Sequence, residues 1–302
     1  MEVPLISIVI PTCNRANDLL VCVAALVDKL PADESVEMLV CDDGRSSETK
    51  VRLAQNFPMV AWHQGPKIGP AANRNMGARN ARGQWLIFFD DDIIPEPACL
   101  AGYLTAIGRQ SAGSSVLCGA TCRAETPSSL LWEAPHNPDG AILISCNMAL
   151  PKSLFLELQG FDERFPTAAF EDTEFEARVR FLSIPIEFVP EAKVYHPLRT
   201  HPSPSGLARR WEARVIYAYD LGATPAKVLW RLPVHVAKVI VSRFRSPEWK
   251  WNNLRAACNF AAEFALVLWH LPRWLGRHWA GSRSRFWAER RSSGKLHPKF
   301  GF

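Results

Sequence analysis

Residues 85–92 read WLIFFDDD: five apolar residues that end abruptly on three carboxylates. An uninterrupted apolar run of this length reads as a strand buried on both faces, the habit of parallel sheets covered by helices. Three successive carboxylates at its end repel one another unless they are solvated or share a cation. One reading makes them an acidic turn capping the helix expected after Pro95. The other makes them a hard divalent-metal site. In extended backbone Asp90 and Asp92 point the same way and can share an ion with phosphate oxygens.

The preceding sequence decides between the two. Leu5 to Ile10 is a second apolar run, rich in β-branched residues and closed by Pro11, and Asp18 to Leu30 follows with Leu19, Val23, Leu26, Val27 and Leu30 at helical spacing. Met38 to Cys41 is another strand, running into Asp42-Asp43-Gly44, and a helical stretch reaches about Asn56. Met59 to His63 is expected as a further strand. It leads into GPKIGPAANRNMGARNARG, in which residues 71–81 can form a short helix carrying Arg74, Asn75 and Arg79. Strand, helix, strand, helix implies a parallel sheet built by right-handed crossovers. Ligands of such sheets bind at the carboxyl ends of the strands, where Thr12, Asn14, Arg15, Asp42 and Asp43 fall. Carboxylates delivered to that edge beside Arg74 suit a nucleoside diphosphate with its metal.

Downstream, residues 140–150 (GAILISCNMAL) read as a strand, Pro151 opens a helix to Leu158, and GFDERF (160–165) makes a turn. The next helix begins at Glu171-Asp172 and buries Phe175, Val179 and Leu182. Its amino terminus offers partly unpaired N–H groups, which predicts that both carboxylates stay ionised.

Taken in order, SIVIPTCNR, VCDDGRSS, GPAANRNMGARNARG, FFDDD, GFDERF, FEDTEFEARVR and VPEAKVYHP resemble the family 2 glycosyltransferases over about residues 5–200. The resemblance implies an α/β GT-A fold, a Rossmann-like, mostly parallel sheet flanked by helices. It also implies inverting transfer of a sugar from a nucleotide-diphosphate donor, with a UDP-sugar the commonest case, assisted by Mn²⁺ or Mg²⁺. Pro11, Thr12 and Arg15 then match the first donor-binding loop, and Asp43, with Asp42 beside it, the acid that reads the base. Arg74 matches the basic residue of the diphosphate pocket. Asp90 and Asp92 match the D-x-D pair, and with Asp91 they border the donor; His196 matches a histidine that completes the metal shell or contacts the diphosphate. GFDERF shapes the acceptor side, Asp172 is the base that takes the acceptor proton, and Glu171 supports it or binds the acceptor. The chain departs from the pattern in DDGRSS for the commoner DDGS, in Ile93 where a fourth acid is frequent, and in Gln159 before the GFDE turn.

The 302 residues, 48% apolar and 22% charged, can bury a large core, which excludes a disordered, collagenous or polytopic membrane chain. The net charge of +5 hides an asymmetry. Residues 1–200 hold 17 Lys+Arg against 25 Asp+Glu, residues 201–302 hold 18 against 5, and eight of the eleven tryptophans lie beyond 200. Two regions are expected: a catalytic domain over 1–200 and a basic, Trp-rich helical extension over 201–302. The opening MEVPLISIVIPTCNR has no basic n-region or small-residue cleavage site, and no charge-free run approaches the length of a spanning helix. Eight cysteines without a CxxC pair read as buried free thiols in a reducing compartment.

After the Pro/Ser-rich LRTHPSPSG, three helices are expected at roughly 206–221, 224–244 and 250–271. Tryptophans interleaved with arginines suit the surface of an anionic bilayer; packing on the catalytic domain or oligomerisation through these helices is the alternative. No nucleic-acid module is recognisable. The combined expectation is a cytoplasmic enzyme, peripheral at the inner face of the membrane, that extends a glycan or lipid-linked saccharide of the cell envelope. A non-catalytic nucleotide-sugar-binding or scaffold protein of the same fold is the alternative. A nucleotidyltransferase is disfavoured by the lack of a Gly-rich triphosphate loop near the first strand.

Overall fold

The structure is a computed structural model and describes residues 5–31, 36–110, 115–165, 167–245, 254–281 and 284–292. Its elements run β1 (Ile6–Thr12), α1 (Ala16–Val27), β2 (Val36–Asp42), α2 (Glu48–Asn56), β3 (Ala61–Gln64), α3 (Pro70–Asn80), β4 (Trp85–Phe89), β5 (Ile94–Pro95), α4 (Cys99–Arg109) and β6 (Val116–Arg123). They continue through β7 (Trp132–Glu133), β8 (Asn147–Pro151), α5 (Lys152–Glu157), α6 (Glu171–Phe181), β9 (Ile186–His196) and β10 (Arg199–Thr200). Four helices close the order: α7 (Pro204–Asp220), α8 (Pro225–Phe244), α9 (Leu254–Trp279) and α10 (Arg285–Ser292). The chain divides into two compact units. One comprises Met1–Glu125, Ala134–Glu163 and Glu171–Pro197, the other Thr126–Glu133, Arg164–Phe170 and Leu198–Phe302.

The first unit is built on an eight-stranded sheet in the order β3-β2-β1-β4-β8-β6-β9-β5. The β3-β2-β1-β4 half is parallel, with Ile8 opposite both Met38 and Ile87. Beyond it the sheet is mixed: β8 lies antiparallel to β4 and β6, and β9 runs parallel to β6. The apolar run of β4 therefore sits at the centre, buried on both faces. Ile87 and Phe89 pack in a core with Ile8, Ile10, Leu19, Val23 and Tyr103. Phe88 points to the opposite face and meets Phe155 of α5 and Phe161, with ring centroids 5.2 and 5.5 Å away. Phe161 in turn lies 5.0 Å from Phe175 of α6, and Phe155 5.7 Å from it. Aromatic pairs at these separations add about 0.5–1.5 kcal/mol each beyond their area.

The strand expected over 140–150 is shorter than its apolar character suggests. Only Asn147–Pro151 enters the ladder, because β8 must fit between β4 and β6. The residues before it form a loop, with Ile142 half exposed and its carbonyl accepting the Asn137 amide at 2.6 Å. Asn147 marks the junction of three elements. Its Nδ2 donates to the Ala120 and Ala192 carbonyls at 3.0 and 2.8 Å, and its Oδ1 accepts the Tyr103 hydroxyl at 2.8 Å. Asn147→Leu strands three buried partners, each costing about 1–3 kcal/mol. Urea titration of the full chain is expected to register a loss of roughly 3 kcal/mol or more; a change below about 0.5 kcal/mol, the scale of a neutral surface substitution, would contradict this role.

The second unit holds a two-stranded ladder, β7 with β10, and the helices α7 to α10. Leu207, Trp211, Val215, Leu232, Val236, Phe260 and Val267 share one core. One buried and one partly exposed carboxylate brace it. Glu263 accepts the Trp211 indole N–H at 2.7 Å and pairs with Arg243 at 2.5 Å, and Glu133 pairs with Arg210 at 2.6 Å. The helix expected to end near residue 271 continues through Pro272 to Trp279, since Leu271 and Trp274 are buried on either side of the proline. Residues 250–253 of that expected helix, and the tail over 293–302, lie outside the described residues. Among the described residues no helix is long and apolar enough to cross a membrane.

Candidate active site

The site is assembled at the carboxyl edge of the parallel half. β1 and β2 end side by side at Thr12 and Asp42. Asn73, on the first turns of α3, donates from Nδ2 to the Cys41 carbonyl at 2.7 Å and to the Thr12 carbonyl at 3.3 Å, tying the two strand ends to the helix. Asp42 is fully buried, and its Oδ1 accepts the Gly44 N–H at 2.7 Å. Asp42 thus closes the turn with one oxygen, while its Oδ2 is buried with no hydrogen-bond partner among the described residues. Asp43 is half-buried and accepts the N–H groups of Lys67 at 2.9 Å and Gly69 at 3.2 Å, so it holds the 65–69 loop over the strand end. That loop passes so close that a Cβ on Gly65 would collide with the side chains of Asp43 and Asn73. Pro11 is buried inside β1, opposite Cys41.

β4 ends at Phe89, and the turn at residues 91–92 divides the three carboxylates. Asp91 turns inward, where it accepts the Thr12 hydroxyl at 2.6 Å and pairs with Arg15. Burial pushes its carboxyl up to about 6 although Arg15 and Thr12 pull the other way. Thr12 is thereby committed to Asp91, and both lie under the site rather than on its surface. Asp90 and Asp92 instead meet His196. Its Nε2 stands 3.2 Å from Asp92 Oδ1 and 3.7 Å from Asp90 Oδ2. The short strand β5 brings them together by pairing Ile94 and Pro95 with Tyr195 and Val194, immediately before His196.

His196 is 1% exposed, and its Nδ1 lies 2.9 Å from the Pro197 carbonyl. A proton on Nδ1 satisfies that carbonyl and leaves Nε2 as the free lone pair. Burial works against a charged imidazole, but Asp90 and Asp92 outweigh it and raise its pKa. The pull that two carboxylates exert on a proton there is the pull they would exert on a cation. One donor atom from each of Asp90, Asp92 and His196 lies within 4.8 Å of the others. Two carboxylate oxygens and an imidazole, without a thiolate, are a donor set that fits Mn²⁺ or Mg²⁺.

Arg74 connects this cluster to α6. Its guanidinium donates to Asp90 at 2.7 Å and to Glu171 at 3.1 Å. Burial opposes its charge, but these two carboxylates hold it protonated. Its Nε–H is buried with no acceptor among the described residues. Phe161 lies under the guanidinium, fixed by Asn75, whose amide accepts the Phe161 N–H and donates to the Phe161 carbonyl, both at 2.8 Å. Glu171 is buried, and its Oε2 likewise has no hydrogen-bond partner among the described residues. Asp172 is half-buried and accepts the Thr173 N–H at 2.7 Å. The helix terminus was expected to keep both acids ionised, yet burial raises both, and the charge of Asp172 raises Glu171 further. The energetic reason is that desolvation outweighs the partial charge of the helix end.

Arg74, Asp90, Asp92, Glu171 and His196 thus form one contiguous cluster, with Arg15 reaching Asp92 at 3.5 Å. Asn73 and Asn75 were not singled out as site residues in the sequence. The available signal was their placement on either side of Arg74 in ANRN.

Residues 7–146 match the glycosyl transferase family 2 model. The segment is a family 2 glycosyltransferase domain. The match takes in Thr12, Asp43, Arg74 and the carboxylates after β4, while Glu171, Asp172 and His196 lie beyond it. A glycosyltransferase of Haemophilus influenzae is 33% identical over 90 residues, which is 29% of each chain. A validoxylamine A glucosyltransferase of Streptomyces hygroscopicus is 28% identical over 229 residues, covering 61% of this chain and 53% of that one. The chain thus spans between under a third and about half of these curated relatives. Among solved structures, the mannosyltransferase PcManGT from Pyrobaculum calidifontis, in complex with GDP-Man and Mn²⁺, superposes with TM-score 0.55 at 16% identity, covering 98% of this chain and 81% of that one. S. aureus TarS 1–349, in complex with UDP-GlcNAc, gives TM-score 0.55 at 18% identity over 96% and 92%. The family 2 domain here therefore has the GT-A fold.

Proposed function

We propose that this protein is an inverting glycosyltransferase that moves a sugar from a nucleoside-diphosphate donor, with UDP-sugars the first candidates, to a hydroxyl of a glycan or lipid-linked acceptor. The observation that carries the reading is the single connected cluster in which Arg74 joins a metal-type donor set, Asp90–Asp92–His196, to the paired acids Glu171–Asp172. Inverting transfer requires two such poles. A divalent cation held by Asp90, Asp92 and His196 would neutralise the diphosphate oxygens as they leave.

The residues themselves supply the rest. Asp43 shapes the loop that meets the base. Arg74 is a fixed positive charge beside the leaving group and needs no reorganisation as negative charge develops. Asp172 takes the acceptor proton while the acceptor oxygen bonds to the anomeric carbon; the bond from that carbon to the diphosphate breaks, and the nucleoside diphosphate leaves with the electron pair. A raised pKa suits Asp172 for this work, because a carboxylate of greater basicity is a better proton acceptor near neutral pH. Glu171 offers its second oxygen to the acceptor hydroxyl groups. The helices after residue 201 belong to the second compact unit, which also takes in Thr126–Glu133 and Arg164–Phe170.

A thermal-shift and donor-hydrolysis screen of UDP-, GDP- and dTDP-sugars with Mn²⁺ tests the assignment. At least one donor is expected to stabilise the full chain in Mn²⁺, and EDTA should remove both the shift and the hydrolysis. Stabilisation that is unchanged by EDTA would contradict the metal site. If no nucleotide sugar binds, the reading as a transferase fails.

A further inference from the structure

The exposed large apolar side chains of α8 and α9 are concentrated on their outward faces. On α8, Val228, Leu232, Val236 and Ile240 point into the core, and the opposite face carries Trp230, Val234, Ala237 and Val241. Trp230 is 78% exposed. Lys227, Arg231 and Lys238 flank this row and form no ion pair among the described residues. On α9, Phe260, Val267, Leu271 and Trp274 are buried, and the outward face presents Leu254, Ala261, Ala265, Leu268 and Trp269. Trp269 is 75% exposed. Arg255 and Arg273 sit at the margin of that face, one near each end.

Acidic side chains are missing from both faces. α8 contains no Asp or Glu, and the one acid of α9, Glu263, is buried against Arg243 and Trp211. This decides the occupant. In a symmetric self-interface each patch meets its own copy, so cations would face cations with no carboxylate to pair with them. An anionic lipid surface complements the cations, receives the indoles at headgroup depth and takes up the aliphatic row. Neither helix is long and apolar enough to cross the bilayer.

We infer that the outward faces of α8 and α9 dock this protein, lying in the plane of the interface, on a bilayer of anionic phospholipid. Trp230 and Trp269 are the insertion anchors, and Lys227, Arg231 and Lys238 are the charge contacts. The inference rests on the helical unit alone and requires neither donor nor acceptor, so its failure leaves the transferase reading intact.

The full chain is to be co-sedimented with vesicles of equal parts phosphatidylglycerol and phosphatidylcholine, and with phosphatidylcholine alone. Binding to the anionic vesicles is expected to exceed binding to the neutral ones by about tenfold or more and to weaken as salt screens the cations. W230E and W269E, both at exposed positions, should each reduce binding by about tenfold or more, because a carboxylate is driven into the interface. Their circular dichroism melts should match the parent, and brominated acyl chains should quench the parent's fluorescence more than that of W269E. Equal binding by parent and both variants would overturn the inference. So would a parent that stays in the supernatant with anionic vesicles. A parent that is dimeric by light scattering, with monomeric W230E and W269E and no vesicle binding, would assign the face to a second copy instead.

Discussion

Asp172→Asn is expected to lower transfer by about 10²–10⁴-fold, the range a positioned general base supplies, with little change in donor affinity. The amide keeps the shape of the side chain and its place at the start of α6 but cannot accept the acceptor proton. The parent should also show a distinctive pH profile. Burial raises the Asp172 carboxyl above the ordinary aspartate range. A base works only when deprotonated, so activity should be lost as pH falls through that raised value, at a higher pH than an exposed aspartate would dictate. Transfer rates of parent and variant between about pH 4 and 8, with Mn²⁺ saturating, separate the cases. Full transfer by Asp172→Asn would transfer the role of base to another group. An acid limb in the ordinary aspartate range would contradict the effect of burial.

Asp92→Ala is the second large effect. It removes one of three donor atoms around the cation site and leaves His196 and Asp90 facing one another. Mn²⁺ affinity, read by electron paramagnetic resonance of the free ion, is expected to fall by about tenfold or more, and transfer by about 10²–10³-fold. The neighbouring triplet residue supplies the contrast. Asp91 is buried and tied to Thr12 and Arg15, so Asp91→Ala should act chiefly on stability, leaving Mn²⁺ affinity of the folded fraction near that of the parent. If Asp91→Ala weakened Mn²⁺ binding as much as Asp92→Ala, the division of the three carboxylates between Thr12–Arg15 and His196 would be wrong.

Much of this arrangement was legible in sequence because it depends on short-range periodicity. Five apolar residues before the carboxylates marked β4 as a buried strand, and the contacts of Asp90 and Asp92 with His196 set them apart from Asp91, although a turn rather than extended backbone does so. The antiparallel insertion of β8 between β4 and β6 was less accessible. GAILISCNMAL is apolar throughout, and only the spacing of its neighbours determines that the ladder begins at Asn147. Three-dimensional packing also acts on Glu171 and Asp172, whose carboxyls burial raises. A helix terminus is visible in sequence, but desolvation of its carboxylates is not. Asp42 and Asp43 are told apart only in three dimensions for a related reason. Two adjacent aspartates look alike on paper, whereas the pleat sends one into the turn and the other toward the loop over the strand end.

The aromatic cluster behind β4 sets a tolerance on the chemistry. Phe88 lies two residues before Asp90, and Phe175 three residues after Asp172, so the two chemical poles are mounted on opposite ends of one chain of edge-on and tilted rings, Phe88–Phe161–Phe175. Side-chain packing is nearly incompressible, and reactive geometry degrades steeply over about an ångström. The spacing between the cation pole and the base is therefore set by how these rings pack, and a change of ring size here would be read out in turnover as well as in stability.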